Sequence, residues 1–507
     1  MSKTAFRGLF LLIVIGAILF RVAGLDRRPM HNDEANQAVK FGRLLEKGEY
    51  AYDKNDHHGP SLYYLTLPLA KARGQTTLAA LDEITLRLVP AIFGVGMVFL
   101  FLLFFRDVGR AAILFAGALA AVSPALVYYS RFYIQEMIFV FFVIAWLGSL
   151  WRYSQNPSAG WAAAWGFFAG MLFATKETSV IIFVATAAAL VLTRYVQRRS
   201  NLENAPRPPF SPVNIALGIL VAAATAALFF SSFFTHPKGV LDSILAFQDY
   251  FAKGSQPGVH AHPAWYYFGL LSYFKSGGLV WSEALVLALA CLGVLAAFLR
   301  RNAFALFFSI FTLITAVLFS LVPYKTPWNV LPFYAGAIVL AGVGADSALR
   351  SARKTWFKAL ILALLGAGAI HLAWQSWQAS FRYSADPRNP YVYAQTSPDF
   401  LRLVRRVQAI AEVSPERERT LIKVVAGPYE TWPLPWYLRR FERVGYWTDE
   451  RAAGGIEGAG LVIASLDQAE RFGPRLESAY QSEFYGLRPD VVLKLYIRRD
   501  LWDKLMK

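Results

Sequence analysis

The chain has 507 residues, of which 56% are hydrophobic and 17% are charged, and its mean hydropathy is +0.38. So much apolar sequence with so little charge excludes an ordinary soluble globular protein. The net charge of +17 does not indicate nucleic-acid binding, because residues 379–507 carry 20 Lys and Arg against 17 Asp and Glu. The remaining excess lies in short clusters between apolar runs, which is typical of membrane topology determinants.

Apolar runs long enough to cross a bilayer recur as far as residue 377. A helix of about 20 mostly apolar residues spans roughly 30 Å of hydrocarbon, and on this basis we predict about eleven spans. The first is predicted to be a retained span, because Arg21 follows it with no cleavage site of small residues. The predicted spans are residues 6–25, 84–105, 111–129, 134–151, 160–175, 178–196, 213–234, 279–299, 303–322, 331–349 and 356–377.

The basic clusters predict how these spans are oriented. With a cytoplasmic N-terminus, every short basic cluster falls on the cytoplasmic side, as the positive-inside rule requires. No Asn-x-Ser/Thr acceptor with x other than Pro occurs, and this favours a prokaryotic plasma membrane over a secretory pathway. The single cysteine, Cys291, cannot form an internal disulfide and does not identify a compartment.

Three long segments fall on the predicted outer side: residues 26–83, 235–278 and 379–507. Within the first, residues 35–47 have an apolar helical face, which predicts a helix lying in the membrane interface. Residues 200–212 are predicted to be a cytoplasmic linker.

The predicted fold is therefore mainly α: a polytopic membrane bundle in residues 1–378 and a small extracytoplasmic α/β domain in residues 379–507. The prediction of the α/β domain is based on β-type runs at 420–426, 460–466 and 491–497, with helical stretches at 398–413 and 467–480.

Ionisable residues from distant parts of the sequence collect on the same predicted face. Charges at membrane depth are costly, so they usually face a cavity or a partner. The residues that we select are Asp33, Glu34, His57, His58, Arg131, Glu136, Lys176, Glu177, His260, His262 and Lys325.

Each of these residues also has a structural interpretation. Asp33 and Glu34 could simply begin a helix, whose dipole favours anions. Lys176 and Glu177 could form a solvated turn, and Arg131 could anchor a span at the interface. The pair His260 and His262 is a weak signal for a divalent metal, and no other cofactor is indicated. It is their joint placement on one face that favours a functional site.

The order of several short motifs resembles a known superfamily. These are HNDEANQAVKFGRLLEKGEY, HHGPSLYYLTLPLA, SRFYIQEMIFVFF, ATKETS, YKTPWNVLPFY and, near the C-terminus, YSADPRNPYVYAQTSPDFLRL and YETWPLPWYLRRF. Together they resemble the membrane glycosyltransferases with the GT-C fold, in the branch of protein O-mannosyltransferases and lipid A aminoarabinose transferases. Within that branch the chain is most similar to the prokaryotic flippase-activity-associated glycosyltransferase-like family.

The resemblance implies a role for each matched residue. Asp33 would be the catalytic base or orient the acceptor, with Glu34 beside it. Arg131, Lys176 and Lys325 would bind the phosphate of a polyprenyl-phosphate sugar. The supporting acidic or acceptor-side residues would be Glu136, which replaces the Asp more usual in the family, together with His57, His58 and Glu177.

The implied reaction is inverting transfer from a polyprenyl-phosphate sugar to a glycan, lipid or protein acceptor on the outer face of the bilayer. The phosphate is already a good leaving group, so one carboxylate to relieve the acceptor of its proton is sufficient. A rival hypothesis is a non-catalytic, lipid-phosphate-binding partner of a lipid-linked oligosaccharide flippase, and a pure binder of phosphate gains nothing from nearby carboxylates. A transporter is disfavoured, since the charges do not lie near the midplane and no repeat is evident.

Overall fold

The computed structural model describes residues 1–55, 58–199, 211–255 and 261–507, most of them helical. A short hairpin, β1 (Phe274–Ser276) and β2 (Leu279–Trp281), lies among the helices that precede the C-terminal segment. Those helices are α1 (Lys3–Val22), α2 (Asn32–Lys47), α3 (Ser61–Ala72), α4 (Glu83–Leu100), α5 (Phe105–Val122), α6 (Pro124–Tyr129), α7 (Glu136–Gln155), α8 (Ala159–Phe173), α9 (Ser179–Arg199), α10 (Pro212–Phe230), α11 (Lys238–Ser255), α12 (Tyr266–Ser272), α13 (Ala284–Arg300), α14 (Ala303–Leu321), α15 (Leu331–Ser351) and α16 (Thr355–Trp377).

Eight helical stretches within the described ranges are long and apolar enough to cross a membrane. One of them, Glu83–Val122, contains both α4 and α5, and α8 and α13 are shorter apolar helices. Each of the eleven predicted spans therefore overlaps a helix, and the predicted mainly α membrane bundle is confirmed. Most of the predicted linker, residues 200–210, lies outside the described residues.

The third predicted span, 111–129, ends earlier than expected. Helix α5 stops at Val122, and Ser123 caps a new helix, α6, by accepting a hydrogen bond from the Leu126 N–H at 3.3 Å. Pro124 has no N–H to donate and so fits only the first turn of a helix. The break brings the buried turn after α6 to one end of the bundle, where the candidate site lies.

Helix α15 is the central element of the bundle and packs against α5, α13 and α14. Close approach depends on small residues: a Cβ on Gly344 would lie 2.0 Å from the Leu289 carbonyl oxygen, and one on Gly342 would lie 2.4 Å from that of Ala112. Any side chain at these positions would therefore push the helices apart.

Helix α2 is amphipathic, and its apolar face is covered by protein. Ala38 and Phe41 are 0% exposed and Leu44 is 3% exposed, because protein covers them. α2 packs against α3 and against α19 (Leu434–Tyr437) of the C-terminal segment. The apolar partner of this face is therefore protein, which periodicity alone does not distinguish from lipid, and the interfacial position of residues 35–47 stays a prediction.

The C-terminal segment contains a five-stranded mixed sheet in the order β4-β3-β5-β7-β6, with β3 parallel to β4 and β5. Its three predicted strands and two predicted helices are present, but β4 and β6 were not predicted. The strands are β3 (Ile422–Val425), β4 (Val444–Trp447), β5 (Leu461–Ser465), β6 (Tyr480–Arg488) and β7 (Val491–Arg498), and the helices besides α19 are α17 (Phe400–Val413), α18 (Pro428–Thr431), α20 (Leu466–Leu476) and α21 (Arg499–Leu505).

The C-terminal segment is hydrogen-bonded to the chain just before α2. The hydroxyl of Tyr437 accepts from the Met30 N–H at 2.9 Å, and the hydroxyl of Thr396 donates to the Met30 carbonyl at 2.7 Å. The indole N–H of Trp436 donates to Glu83 at 2.8 Å. These bonds place the sheet beside the first turn of α2.

Candidate active site

The start of α2 is fixed by a reciprocal pair of caps. The His31 Nδ1 accepts from the Asp33 N–H at 3.1 Å, and the Glu34 carboxylate accepts from the His31 N–H at 2.9 Å. Since His31 Nδ1 is an acceptor, its Nε2 carries the proton and donates to the Tyr393 carbonyl at 2.9 Å. Asp33 is therefore the second residue of the helix rather than its cap.

Glu34 is a buried anchor. Its carboxylate is 0% exposed and accepts from Arg87 at 2.8 Å, from Arg28 at 3.1 Å and from the Tyr133 N–H at 2.9 Å. Burial by itself would raise the pKa of this carboxyl, but the guanidinium groups of Arg87 and Arg28 lower it to about 2. Both carboxylate oxygens of Glu34 accept hydrogen bonds. Because Arg87 lies on α4 and Tyr133 follows α6, Glu34 fixes α2 to α4 and to the turn after α6.

Asp33 points the other way. Its side chain is 44% exposed, and its carboxylate lies 3.7 Å from the Nδ1 of His31. Successive residues of a helix are about 100° apart, so burying Glu34 forces Asp33 outwards. The adjacent acidic residues thus separate into an exposed carboxylate and a buried one.

A second cluster contains a buried ion pair. Lys176, in the turn between α8 and α9, donates to Glu136 at 2.6 Å and to the side-chain oxygen of Asn329 at 3.1 Å. Both charged side chains are about 5% exposed. The ammonium has three N–H donors, so one remains for a further acceptor.

Lys325 and Tyr324 adjoin this cluster. The Lys325 ammonium donates to the carbonyls of Val322 at 2.6 Å and His262 at 2.9 Å, and again one donor remains. Burial raises the pKa of Tyr324, and the negative charges of Asp33 and Glu136 raise it further. Tyr324 thus lies within electrostatic reach of both carboxylates, which connects the two clusters.

The turn residue Glu177 has a different partner from its neighbour Lys176. Its carboxylate lies 2.8 Å from the Nδ1 of His58. Nearby, a cavity of about 240 Å³ is lined by Tyr52, His236 and Asp242, among others. His57 lies outside the described residues, so its predicted role stays a prediction.

Arg131 makes contacts that the sequence did not suggest. Its guanidinium donates to the carbonyls of Phe20 and Arg21, both at 3.1 Å, and to that of Gly24 at 3.0 Å, with the Phe381 ring 4.5 Å away. These bonds hold the end of α1 against the turn after α6. These contacts give Arg131 a structural role, and its predicted contact with a donor phosphate stays a prediction.

Three buried amides near the carboxylates have polar atoms without a hydrogen-bond partner among the described residues. They are the side-chain oxygens of Asn32 and Asn36 on α2, and both amide atoms of Gln135, immediately before Glu136. Asn36 is one helical turn beyond Asp33 and therefore neighbours it on the helix surface. Buried polar groups of this kind suit the hydroxyls of a sugar ring.

The predicted metal pair is only partly described. His260 lies outside the described residues, and the ring of His262 stacks on Tyr266 at 4.2 Å. Within the described ranges, no three His, Cys, Asp or Glu side chains converge to hold a metal ion. A divalent metal at this pair stays a prediction.

Comparison with known proteins places this arrangement in a recognised architecture. The family described as dolichyl-phosphate-mannose-protein mannosyltransferase matches residues 12–232. ArnT from Cupriavidus metallidurans, solved with undecaprenyl phosphate, is similar over 97% of this chain and 98% of its own, with a TM-score of 0.65 and 16% identity. The chain has the GT-C fold. The predicted resemblance to GT-C glycosyltransferases is thereby confirmed.

Two other GT-C structures show the same similarity. Archaeoglobus fulgidus AglB, an oligosaccharyltransferase solved with an inhibitory peptide and a dolichol-phosphate, matches 99% of this chain and 77% of its own, with a TM-score of 0.60 and 14% identity. The Saccharomyces cerevisiae Pmt1-Pmt2 O-mannosyltransferase, solved with its sugar donor, matches 80% of this chain and 92% of its own, with a TM-score of 0.56 and 11% identity. No curated protein sequence matches the chain. The finer resemblance to the flippase-associated family stays a prediction.

The candidate site also contains residues that sequence reasoning did not select. Tyr324 and Asn329 lie inside the YKTPWN motif, close in sequence to the selected Lys325. This closeness could have indicated them as site residues. The anchors Arg28 and Arg87 gave no comparable signal, because an arginine near a span end usually serves topology. Only the fold brings Arg87 to a carboxylate 53 positions earlier in the chain.

The buried carboxylate of Glu34 predicts a specific pH dependence. Its pKa falls from 4.5 to about 2 on folding, so its stabilisation is complete above pH 4.5 and is lost as the pH falls towards 2. We expect the Tm in nanodiscs to fall more steeply over this window for the wild type than for Glu34→Gln. Glu49→Gln, at an exposed position, should retain the wild-type slope. Equal slopes for wild type and Glu34→Gln would contradict the anchor role.

Proposed function

We propose that this chain is an inverting glycosyltransferase that moves a sugar from a polyprenyl-phosphate donor to an acceptor on the extracytoplasmic face of a prokaryotic plasma membrane. The observation that carries the proposal is the exposed carboxylate of Asp33, which lies within electrostatic reach of Tyr324. Tyr324 precedes Lys325 in the chain and is also within electrostatic reach of Glu136, the ion-pair partner of Lys176.

The proposed reaction needs one base and no acid. An acceptor hydroxyl attacks C1 of the sugar while its proton passes to the Asp33 carboxylate. The bond between C1 and the phosphate oxygen breaks, its electron pair leaves with the lipid phosphate, and the anomeric centre inverts. The exposure of Asp33 suits this role, because its carboxylate is not held by the arginines that saturate Glu34.

Charge on the departing phosphate would be stabilised by the two lysines. They are fixed by protein carbonyls and by the Glu136 and Asn329 side chains, so little reorganisation is needed when the charge develops. Glu136 offsets part of the charge of Lys176, whereas the contacts of Lys325 within the described residues are backbone carbonyls. Lys325 is therefore the stronger candidate for the phosphate.

The fold supports the choice of donor. ArnT was solved with undecaprenyl phosphate and AglB with a dolichol-phosphate, and both share the architecture of this chain. A groove between membrane helices lets a lipid tail remain in the bilayer while its head group reaches the site.

The alternative is a non-catalytic partner of a lipid-linked oligosaccharide flippase. It keeps the fold and the lysines but has no use for an exposed carboxylate beside an anionic phosphate. The Asp33 geometry therefore favours catalysis.

A deletion strain tests the function. We expect mass spectrometry of its lipid extract to show accumulation of one polyprenyl-phosphate sugar, together with a glycoconjugate that lacks that sugar. Wild-type chain should restore both, whereas Asp33→Asn should restore neither. Accumulation of a complete lipid-linked oligosaccharide instead would support the flippase alternative.

Lys325 gives a sharper test of donor binding. Once the deletion strain has identified the sugar donor, transfer can be measured directly. Lys325→Met should lower kcat/KM by about 100-fold, the usual effect of removing one group that stabilises the developing charge. Lys325→Arg should recover part of the loss because it keeps the charge. Lys275→Met, at an exposed lysine of β1, is the matched control, and an equal effect in both methionine variants would remove Lys325 from the site.

A further inference from the structure

The C-terminal sheet contains a cleft of about 380 Å³ away from the residues discussed so far. It is formed by the loops that follow β3, β4 and β5, and by the turn between β6 and β7. Its polar lining includes Glu430, Thr448, Asp467, Gln468 and Asp490. The volume is within the ordinary range of small-molecule sites, about 300–1,000 Å³.

The position of the cleft follows from the topology of the sheet. From β3 the chain passes to β4 on one side, then crosses back to β5 on the other, giving the order β4-β3-β5 with all three strands parallel. Loops that leave in opposite directions open a crevice at the carboxyl ends of the strands, and α/β proteins bind ligands there. The cleft lies at this crevice. The order of the strands therefore predicts a binding site at this position, without reference to the side chains that line it.

The chemistry of the lining limits the ligand. Three carboxylates and no basic side chain line the cleft, together with the apolar side chains of Val491 and Val492. Carboxylates accept several hydrogen bonds each, so a ligand rich in hydroxyls fits, whereas an anionic ligand is repelled. Asp467 is held in place, since it accepts from the Ser465 hydroxyl at 2.5 Å and from the Gln468 amide at 3.0 Å.

Arg488 connects the cleft with the candidate active site. At the end of β6, its guanidinium donates to the carbonyl of Tyr429, on the helix that carries Glu430. The same guanidinium lies within electrostatic reach of both Glu430 and Asp33. Tyr429 itself is 86% exposed, which leaves its ring available to stack on a sugar.

We propose that this cleft binds an uncharged glycan portion of the acceptor and directs its reactive hydroxyl past Arg488 towards Asp33. The proposal rests on the proposed transferase function and specifies the class of acceptor. It assigns the C-terminal sheet a substrate-binding task, with Glu430 and Asp467 as the residues that bind hydroxyl groups.

Binding can be measured without the donor, which separates this proposal from catalysis. The full chain in nanodiscs is tested by saturation-transfer NMR with three neutral disaccharides, cellobiose, α-1,2-mannobiose and N,N′-diacetylchitobiose, and with glucuronic acid. We expect at least one neutral disaccharide to bind and glucuronic acid to bind more weakly. Glu430→Gln/Asp467→Asn should weaken binding about tenfold, because each of the two amides accepts a weaker hydrogen bond than the carboxylate it replaces. Glu470→Gln, an exposed residue of α20 outside the lining, should bind as the wild type does.

The outcomes separate the two proposals. Absence of neutral-sugar binding, preferred binding of glucuronic acid, or unchanged binding in the double variant with a wild-type Tm would each overturn the glycan site. Asp33→Asn should bind the disaccharide normally while losing transfer. Full transfer by Asp33→Asn would refute the proposed catalytic role but leave the binding result intact.

Discussion

Asp33→Asn is expected to lower kcat/KM for sugar transfer by about 1,000-fold, within the range usual for loss of a general base. The substitution keeps the size and the helix position of the side chain but removes its ability to take a proton. It should not disturb folding, because the Asp33 side chain is 44% exposed and lies 3.7 Å from the neutral imidazole of His31. Transfer is measured with the donor identified from the deletion strain.

Asp26→Asn is the matched control for this experiment, since Asp26 is an exposed carboxylate in the segment between α1 and α2, shortly before Asp33. It should retain wild-type transfer. Both variants should elute as monodisperse protein with a wild-type Tm. If Asp33→Asn transfers sugar at the wild-type rate, Asp33 is not the base, and the remaining exposed groups near Tyr324 would have to be reconsidered.

Glu34→Ala is expected to destabilise the chain by about 3–5 kcal/mol, the usual effect of removing one partner from a buried ion pair. The guanidinium groups of Arg28 and Arg87 are 7% and 1% exposed, and both would lose their carboxylate. The N–H groups of Tyr133 and His31 would lose an acceptor in the same step. Since typical stabilities are about 5–15 kcal/mol, a large share of the protein should fail to reach a folded state.

The measurement is the yield and Tm of detergent-solubilised protein, with Glu49→Ala as the exposed control. Glu49→Ala should be indistinguishable from the wild type. Glu34→Gln should be intermediate, because a neutral amide keeps part of the hydrogen bonding but none of the charge. A Glu34→Ala protein with a wild-type Tm and no transfer would be contrary to expectation and would make Glu34 catalytic rather than structural.

The two acidic residues illustrate a general limit of sequence reasoning. Their adjacency predicts that they point apart, because the helical repeat separates them by about 100°. It does not predict which one is buried, since that depends on Arg87, 53 positions later, entering the same space. The same limit applies to Arg131, whose carbonyl partners belong to the end of α1, more than 100 positions earlier.

In the C-terminal sheet, some strands were predicted from the sequence and others were not. Its central strands β3 and β5 were predicted because continuous apolar runs are typical of strands buried on both faces. Strand β4 has only four residues, one of them Gly445, and half-buried side chains, so the sequence gives little signal. Strand β6 alternates polar and apolar residues irregularly, and its pairing with β7 is interrupted by a shift after Gly486.

The sequence by itself determined the approximate positions of the apolar helices, the existence of a C-terminal α/β segment and the set of ionisable residues in which a site was to be sought. Those properties are local: an apolar run of sufficient length is a helix wherever the rest of the chain lies. The tertiary structure alone decided which side chains are anchored and which are exposed, because the energy of a buried charge depends on partners that are distant in sequence. In the tertiary structure the Asp33 side chain is exposed, Glu34 is bound by two arginines, and Lys176 is paired with Glu136. The proposed chemistry depends on this distribution of exposed and buried charges.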